Sequence, residues 1–96
     1  MSNTYQPRPQ SELFAALSGQ QFTHSVGGRT GTYTIRIESG AHVVADRLRG
    51  PSVMAHQRAV AETVSPEGWK SLIDLSANPA LFVRLCNELA GGYYRV

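Results

Sequence analysis

Residues 20–49 read QQFTHSVGGRTGTYTIRIESGAHVVADRLR and alternate apolar with polar side chains through two glycine-containing segments. Successive side chains of a β-strand point to opposite faces of a sheet. Each way of pairing the strands can therefore be tested by whether it gathers the apolar side chains on one face. This test predicts a three-stranded antiparallel meander. It decides the fold class but points to no particular activity.

The two turns of the predicted meander are assigned from glycine chemistry. A type II′ turn with Gly28 at its first central position pairs Phe22 with Ile35. A three-residue turn with Gly40 in the left-handed conformation pairs Ile35 with Val43. Both turns agree on one apolar face, formed by Phe22, Val26, Tyr33, Ile35, Ile37, Ala41, Val43 and Ala45.

The opposite face of the predicted meander is mostly polar, so it is available to water or to a partner. An aromatic pair at the C-terminus adds a second candidate contact, because tyrosine is enriched in energetically strong interfaces. The predicted partner-binding residues are Thr23, Thr34, Arg36, His42, Val44, Arg47, Tyr93 and Tyr94.

Helices are predicted before and after the meander in the sequence. Ser11 can cap a short helix over residues 12–18, and Asn78-Pro79 opens a longer one over residues 79–90. Ser65-Pro66-Glu67 predicts another helix start. Residues 51–64 fit an alanine-rich helix that begins at Pro51, although residues 58–64 could instead form a fourth strand.

The sequence therefore predicts an α+β domain over residues 11–96. A three-stranded antiparallel meander, with a fourth strand as the alternative, is covered on one face by a short N-terminal helix and two or three C-terminal helices. Residues 1–10, with two prolines, are predicted to form a flexible tail. The predicted core comprises Leu13, Phe14, Leu17, Phe22, Ile35, Ile37, Val43, Trp69, Leu72, Ile73, Leu81, Phe82, Leu85 and Leu89.

The composition is that of a soluble globular protein. Apolar residues make up 42% and charged residues 17% of 96 residues, with a formal net charge of +2, which suits one domain with a single core. The chain has no apolar run of about 20 residues and no signal-peptide pattern at its start, so we expect a cytoplasmic protein without membrane contact. Its single cysteine, Cys86, is expected to be buried and inert.

The titratable residues form no recognisable catalytic arrangement, so the chain is predicted to be a non-enzyme without a cofactor. A zinc site from His24, His56 and Cys86 lacks the usual ligand spacing, and no metal site is predicted. The glycine-rich loop at residues 27–31 precedes a strand rather than a helix, which favours a hairpin turn over a phosphate site.

A compact domain without a catalytic arrangement is expected to act by contact. We predict a small protein-binding module whose partner is another protein, with accessory or inhibitory proteins of phages and other mobile elements as one class that fits. Pairing with a second copy through a sheet edge is a further expectation, because open edges must be covered or used. The alternative is a nucleic-acid-binding protein that uses arginines on the sheet face.

Overall fold

The main sheet is a four-stranded antiparallel meander whose strands lie side by side in chain order. A computed structural model describes residues 6–95 of the chain, and a separate two-stranded sheet joins its two ends. The elements are β1 (Gln6–Pro7), α1 (Gln10–Leu17), β2 (Gln21–Val26), β3 (Arg29–Val44), β4 (Ser52–Val64), β5 (Lys70–Asp74), a 3-10 turn (Leu75–Ala77), α2 (Pro79–Leu89) and β6 (Tyr94–Arg95).

The α+β class and an antiparallel sheet are confirmed, but residues 20–49 form two strands of that sheet rather than the predicted three, and the first turn lies one residue earlier than predicted. Gly27 and Gly28 form the turn with φ of 58° and 80°, which is the type I′ pattern that needs two left-handed residues. Phe22 consequently pairs with Tyr33 instead of Ile35. The difference of two residues along β3 leaves every side chain on its predicted face.

The predicted turn at Gly40 is wrong, because β3 runs through this glycine as one strand of 16 residues. Gly40 does not have a positive φ, and Gly50, with φ of 77°, lies in the loop that joins β3 to β4. An unbroken strand keeps Ile37, Ala41 and Val43 on one face just as the predicted turn did. Alternation alone therefore could not separate the two arrangements.

The predicted helix over residues 51–64 is also wrong, whereas the alternative of a fourth strand is correct and longer than expected. β4 pairs with β3 from Ser52 to Glu62 and with β5 from Val60 to Val64. Strand partners on both sides of this segment outweigh its alanine content, since strand formation depends on context.

The helix predicted to start at Ser65-Pro66 is a turn followed by β5. The amide of Trp69 donates to the Ser65 hydroxyl over 3.0 Å, and the amide of Gly68 donates to the Ser65 carbonyl over 2.9 Å. This turn reverses the chain so that β5 can pair with β4. Trp69 is then 77% exposed and Leu72 58% exposed, so both were wrongly assigned to the core.

The two remaining predicted helices are present and cover one face of the sheet, here called the inner face. α1 begins at Gln10 with Pro9 at its N-cap, so the predicted cap at Ser11 is wrong. α1 buries its predicted stripe of Leu13, Phe14 and Leu17, and α2 begins with proline in its first turn, as predicted. The core lies between these helices and the sheet. It consists of Leu13, Phe14, Leu17, Phe22, Tyr33, Ile35, Ala59, Ala61, Leu75, Leu85, Cys86 and Ala90.

The N-terminal segment holds the end of α2. The Arg8 guanidinium donates to the carbonyl of Ala90 and, over 2.8 Å, to that of Gly92. Next to it, β1 pairs antiparallel with β6. Residues 1–5 of the predicted tail lie outside the described residues. Among residues 6–95, no helix is long and apolar enough to cross a membrane.

Candidate functional site

Half of the β3–β4 hairpin projects from the body of the protein. β2 pairs with β3 no further than Thr34, and β5 pairs with β4 no further than Val60. Residues 38–58, here called the ribbon, therefore form a two-stranded extension with its connecting loop, and none of them is buried. The radius of gyration is 16.6 Å, compared with about 12 Å for a compact chain of this length.

The ribbon exposes apolar side chains to solvent. Val43 and Val53 face each other across the strands and are 67% and 71% exposed. They lie on the continuation of the inner face, where neither helix reaches them. Val43 was predicted to be in the core, and this was wrong because the core ends where the helices end. On the other face of the ribbon, Met54 lies opposite His42 and is 53% exposed.

The edges of the ribbon are open, and the middle of each of its strands lacks charge. Residues 39–45 and 50–57 contain no Asp, Glu, Lys or Arg, although charged residues and prolines are the usual protection of an exposed strand edge. Their one proline, Pro51, precedes β4 and does not lie within the strand. Within residues 6–95, no further strand pairs with either edge of the ribbon. A two-stranded ribbon is marginally stable in water, and an added strand or a packed surface stabilises it.

Ion pairs occupy the outer face of the sheet where the ribbon joins the body. The Arg36 guanidinium lies 2.7 Å from a Glu62 oxygen and 3.0 Å from a Glu38 oxygen, and Arg58 lies 3.1 Å from the second oxygen of Glu38. Hydrogen bonds from Arg58 and then Arg36 lower the pKa of Glu38 below its ordinary value. Val60 is paired with Arg36 in register and is buried on this face, where long arginine side chains can cover it.

The tip of the ribbon carries free cations and one apolar side chain. Arg47 and Arg49 are exposed, and no ion pair holds either of them among residues 6–95. Leu48 between them is 94% exposed. Its amide donates to an Asp46 carboxylate oxygen over 2.9 Å, and the amide of Gly50 donates to the Asp46 carbonyl over 2.8 Å. These bonds give the tip a defined turn.

Two histidines meet on the outer face of the ribbon. The Nδ1 atoms of His42 and His56 lie 3.3 Å apart, and the ring centroids are 5.2 Å apart. The His56 ring lies over Gly40, where a Cβ atom would come within 2.8 Å of its Cε1 atom. The predicted turn at Gly40, which pairs Ile35 with Val43, would have set His42 opposite Arg36. The observed turn at residues 45–51 instead brings His42 beside His56.

The predicted partner-binding residues do not form one surface. Thr23, Thr34 and Arg36 lie on the body, whereas Val44 lies at the far end of the ribbon. From Thr34 to Val44 the strand extends by about 34 Å, at about 3.4 Å per residue. His42 and Val44 belong to the ribbon, and Arg47 belongs to its tip.

The C-terminal tyrosines take part in the body of the protein. Tyr93 packs against the core, with its ring edge-to-face with Phe82 at 6.2 Å, and its amide donates to the Asn87 side chain over 2.9 Å. Tyr94 pairs with Pro7 in the small sheet. Both tyrosines therefore belong to the body of the protein and are not part of the ribbon.

Ribbon residues on β4 were missed by the sequence reasoning, namely Val53, Met54, Ala55 and His56. They were not identified because this segment was predicted to form an alanine-rich helix. One signal was available, because a surface helix carries charges on its solvent side and residues 50–57 have none.

His24 lies in a shallow depression on the body, between β2 and α2. The depression is lined by Thr23, His24, Ser25, Thr30 and Arg84. The His24 imidazole contacts the rings of Phe22 and Tyr33 at centroid distances of 6.3 and 6.1 Å. Over residues 6–95, no three His, Cys, Asp or Glu side chains come together as metal ligands. Burial raises the pKa of the Cys86 thiol, which favours its neutral form.

Comparison with known protein families, with curated proteins and with solved structures found no match to this chain.

Proposed function

We propose that the protein is a non-catalytic binding module of the accessory or inhibitory kind, and that the ribbon contacts another protein. The observation that carries this proposal is the projection of residues 38–58 from the body with exposed valines and two unpaired edges. Large exposed apolar side chains that their own domain leaves uncovered mark interaction surfaces. The partner supplies an extended segment that pairs with a ribbon edge and covers Val43 and Val53.

The distribution of charge favours a protein over a nucleic acid. Phosphate binding requires free cations along the contact, but the middle of the ribbon has none, and Arg36 is held between Glu38 and Glu62. The free cations Arg47 and Arg49 are confined to the tip. An apolar, uncharged strand edge fits main-chain pairing with another polypeptide.

The experiment is affinity capture from cells of the native host with the wild-type chain and two matched variants. Val53→Glu places a carboxylate on the exposed ribbon face. Val64→Glu places it at the body end of the same strand, on a valine that is 57% exposed. A protein retained by the wild type and by Val64→Glu, but lost from Val53→Glu, supports the proposal.

Hydrogen exchange with the purified captured protein then locates the contact. Amides of residues 36–44 or 52–59 should gain protection in the complex, because strand addition gives them main-chain partners. Protection confined to other segments would contradict the proposed surface. Equal retention of the captured protein by Val53→Glu would contradict it as well.

Two further outcomes would replace the proposal. A dimer of this chain that Val53→Glu dissociates, with no other protein retained, would assign the ribbon to self-association. Captured nucleic acid whose affinity falls steeply with salt and is lost in Arg47→Ala would assign the tip to phosphate contacts.

A further inference from the structure

We propose that His42 and His56 form a binding site for a divalent transition-metal ion on the outer face of the ribbon. The site does not depend on the proposed protein contact. It uses two side chains on neighbouring strands that the β3–β4 register brings together, since His42 lies opposite Met54 and His56 opposite Gly40.

The spacing of the two nitrogens matches two ligands of one metal ion. Metal–nitrogen bonds of about 2.0–2.1 Å that meet near the tetrahedral angle hold their nitrogens about 3.3–3.4 Å apart. The Nδ1 atoms of His42 and His56 are 3.3 Å apart. As a hydrogen bond, this contact has an N–H of one ring donating to the unprotonated nitrogen of the other, and a bound ion would take the place of that hydrogen.

Gly40 gives one of the two rings its place against the ribbon backbone. The absence of a side chain at Gly40 leaves room for the His56 ring, because a Cβ atom there would lie 2.8 Å from Cε1 and 2.9 Å from Nε2. Preorganised ligands bind more tightly because less freedom is lost on binding. Both histidines are exposed, so water can complete the coordination, and the soft Met54 thioether lies on the same face.

Two imidazoles determine the class of ion. Imidazole nitrogen suits Zn²⁺, Ni²⁺ and Cu²⁺, with Cu²⁺ bound most tightly in the general order of affinity. Mg²⁺ and Ca²⁺ prefer oxygen ligands and should not bind.

The test is calorimetric titration of the untagged full chain with Zn²⁺, Ni²⁺, Cu²⁺ and Mg²⁺ salts. We expect one transition-metal ion per chain. His42→Ala and His56→Ala should each weaken binding at least about tenfold, because two linked ligands act as a chelate. His24→Ala is the matched control, since this histidine lies on the body, and it should bind as the wild type does.

Circular dichroism establishes that the variants remain folded, and amide chemical shifts with diamagnetic Zn²⁺ give an independent readout. Shifts should concentrate at residues 40–42 and 54–56. The site is refuted if Zn²⁺, Ni²⁺ and Cu²⁺ do not bind, if His42→Ala and His56→Ala bind as tightly as the wild type, or if the shifts concentrate around His24.

Discussion

Replacing Gly40 with alanine tests how the ribbon positions its histidine pair. The new Cβ atom would lie 2.8 Å from Cε1 of His56, whereas optimal carbon–carbon contacts are about 3.5–4.0 Å. The ring must therefore move by about 0.7 Å or rotate away. The ligands of a metal site lie within about 0.2 Å of standard bond lengths, so we expect a ring displaced by this much from its 3.3 Å separation to leave the ion to His42 alone.

The same substitution should leave the fold intact. The φ of Gly40 is not positive, so its backbone conformation is accessible to alanine. The His56 ring is exposed and can move into solvent. Alanine at a compatible position reduces the entropy of the unfolded chain, which adds about 0.4–1 kcal/mol of stability. We expect an unchanged or slightly raised free energy of unfolding together with Zn²⁺ binding weakened at least about tenfold, as for a single imidazole.

Calorimetry with Zn²⁺ and urea denaturation measure the two effects separately, and Gly31→Ala provides the control. Gly31 lies on the same strand without a positive φ, and its added Cβ would meet Thr63 at 3.2 Å, away from the ribbon. Gly31→Ala should bind Zn²⁺ like the wild type. Wild-type affinity in Gly40→Ala would refute the role of this glycine in holding His56. A loss of more than about 1 kcal/mol of stability would refute the assumption that the ring moves freely.

Three further predictions concern the body of the protein and its junction with the ribbon. Leu85→Ala should lower the free energy of unfolding by about 2–5 kcal/mol in urea denaturation, because removing a fully buried side chain leaves a cavity. Trp69→Ala should change it by under about 0.5 kcal/mol, since Trp69 is 77% exposed. Equal effects of the two substitutions would contradict the placement of β5. Arg8→Ala should lower the free energy of unfolding by about 1.5–3 kcal/mol, because it removes hydrogen bonds to two carbonyl oxygens at the end of α2. Arg95→Ala removes an exposed ion pair and should lower it by about 0–1 kcal/mol. Thermal unfolding of both variants compares the two effects. Hydrogen bonds from two arginines lower the pKa of Glu38 in the folded protein. They should stabilise the fold at pH values above the pKa of glutamate in the unfolded chain, about 4.3. This stabilisation should be lost as the pH falls from there through the lowered pKa of the folded state. Glu38→Gln should remove that part of the pH dependence of stability. If the variant and the wild type lose the same stability between neutral and acid pH, the result would count against the ion pairs.

The amphipathic segments were predictable because their information is local. The stripe of Leu13, Phe14 and Leu17 in α1 and the proline that opens α2 depend on residues within a few positions of one another. The inner-face positions of Phe22 and Ile35 were predicted for the same reason, since a period of two identifies the face even when the turn is shifted.

The candidate site was mostly hidden from such reasoning. Helix and strand both suit residues 51–64 by composition, and the choice was made by β3 and β5 on either side. Strand propensity depends on such neighbours. The wrong turn at Gly40 shortened β3, and with it the ribbon, so Val53 and His56 were never placed beside Val43 and His42.

By itself, the sequence determined the α+β class, the two flanking helices and which side chains of β2 and β3 share the inner face. Those features follow from periodicities of 2 and 3.6 residues and from the proline that opens α2, all of which act over short distances. Tertiary structure alone decided where the long hairpin turns, how far it projects beyond the helices, and that His42 meets His56. The physical reason is that strand pairing joins residues far apart in sequence, and several registers satisfy the same alternation until the neighbouring strands select one.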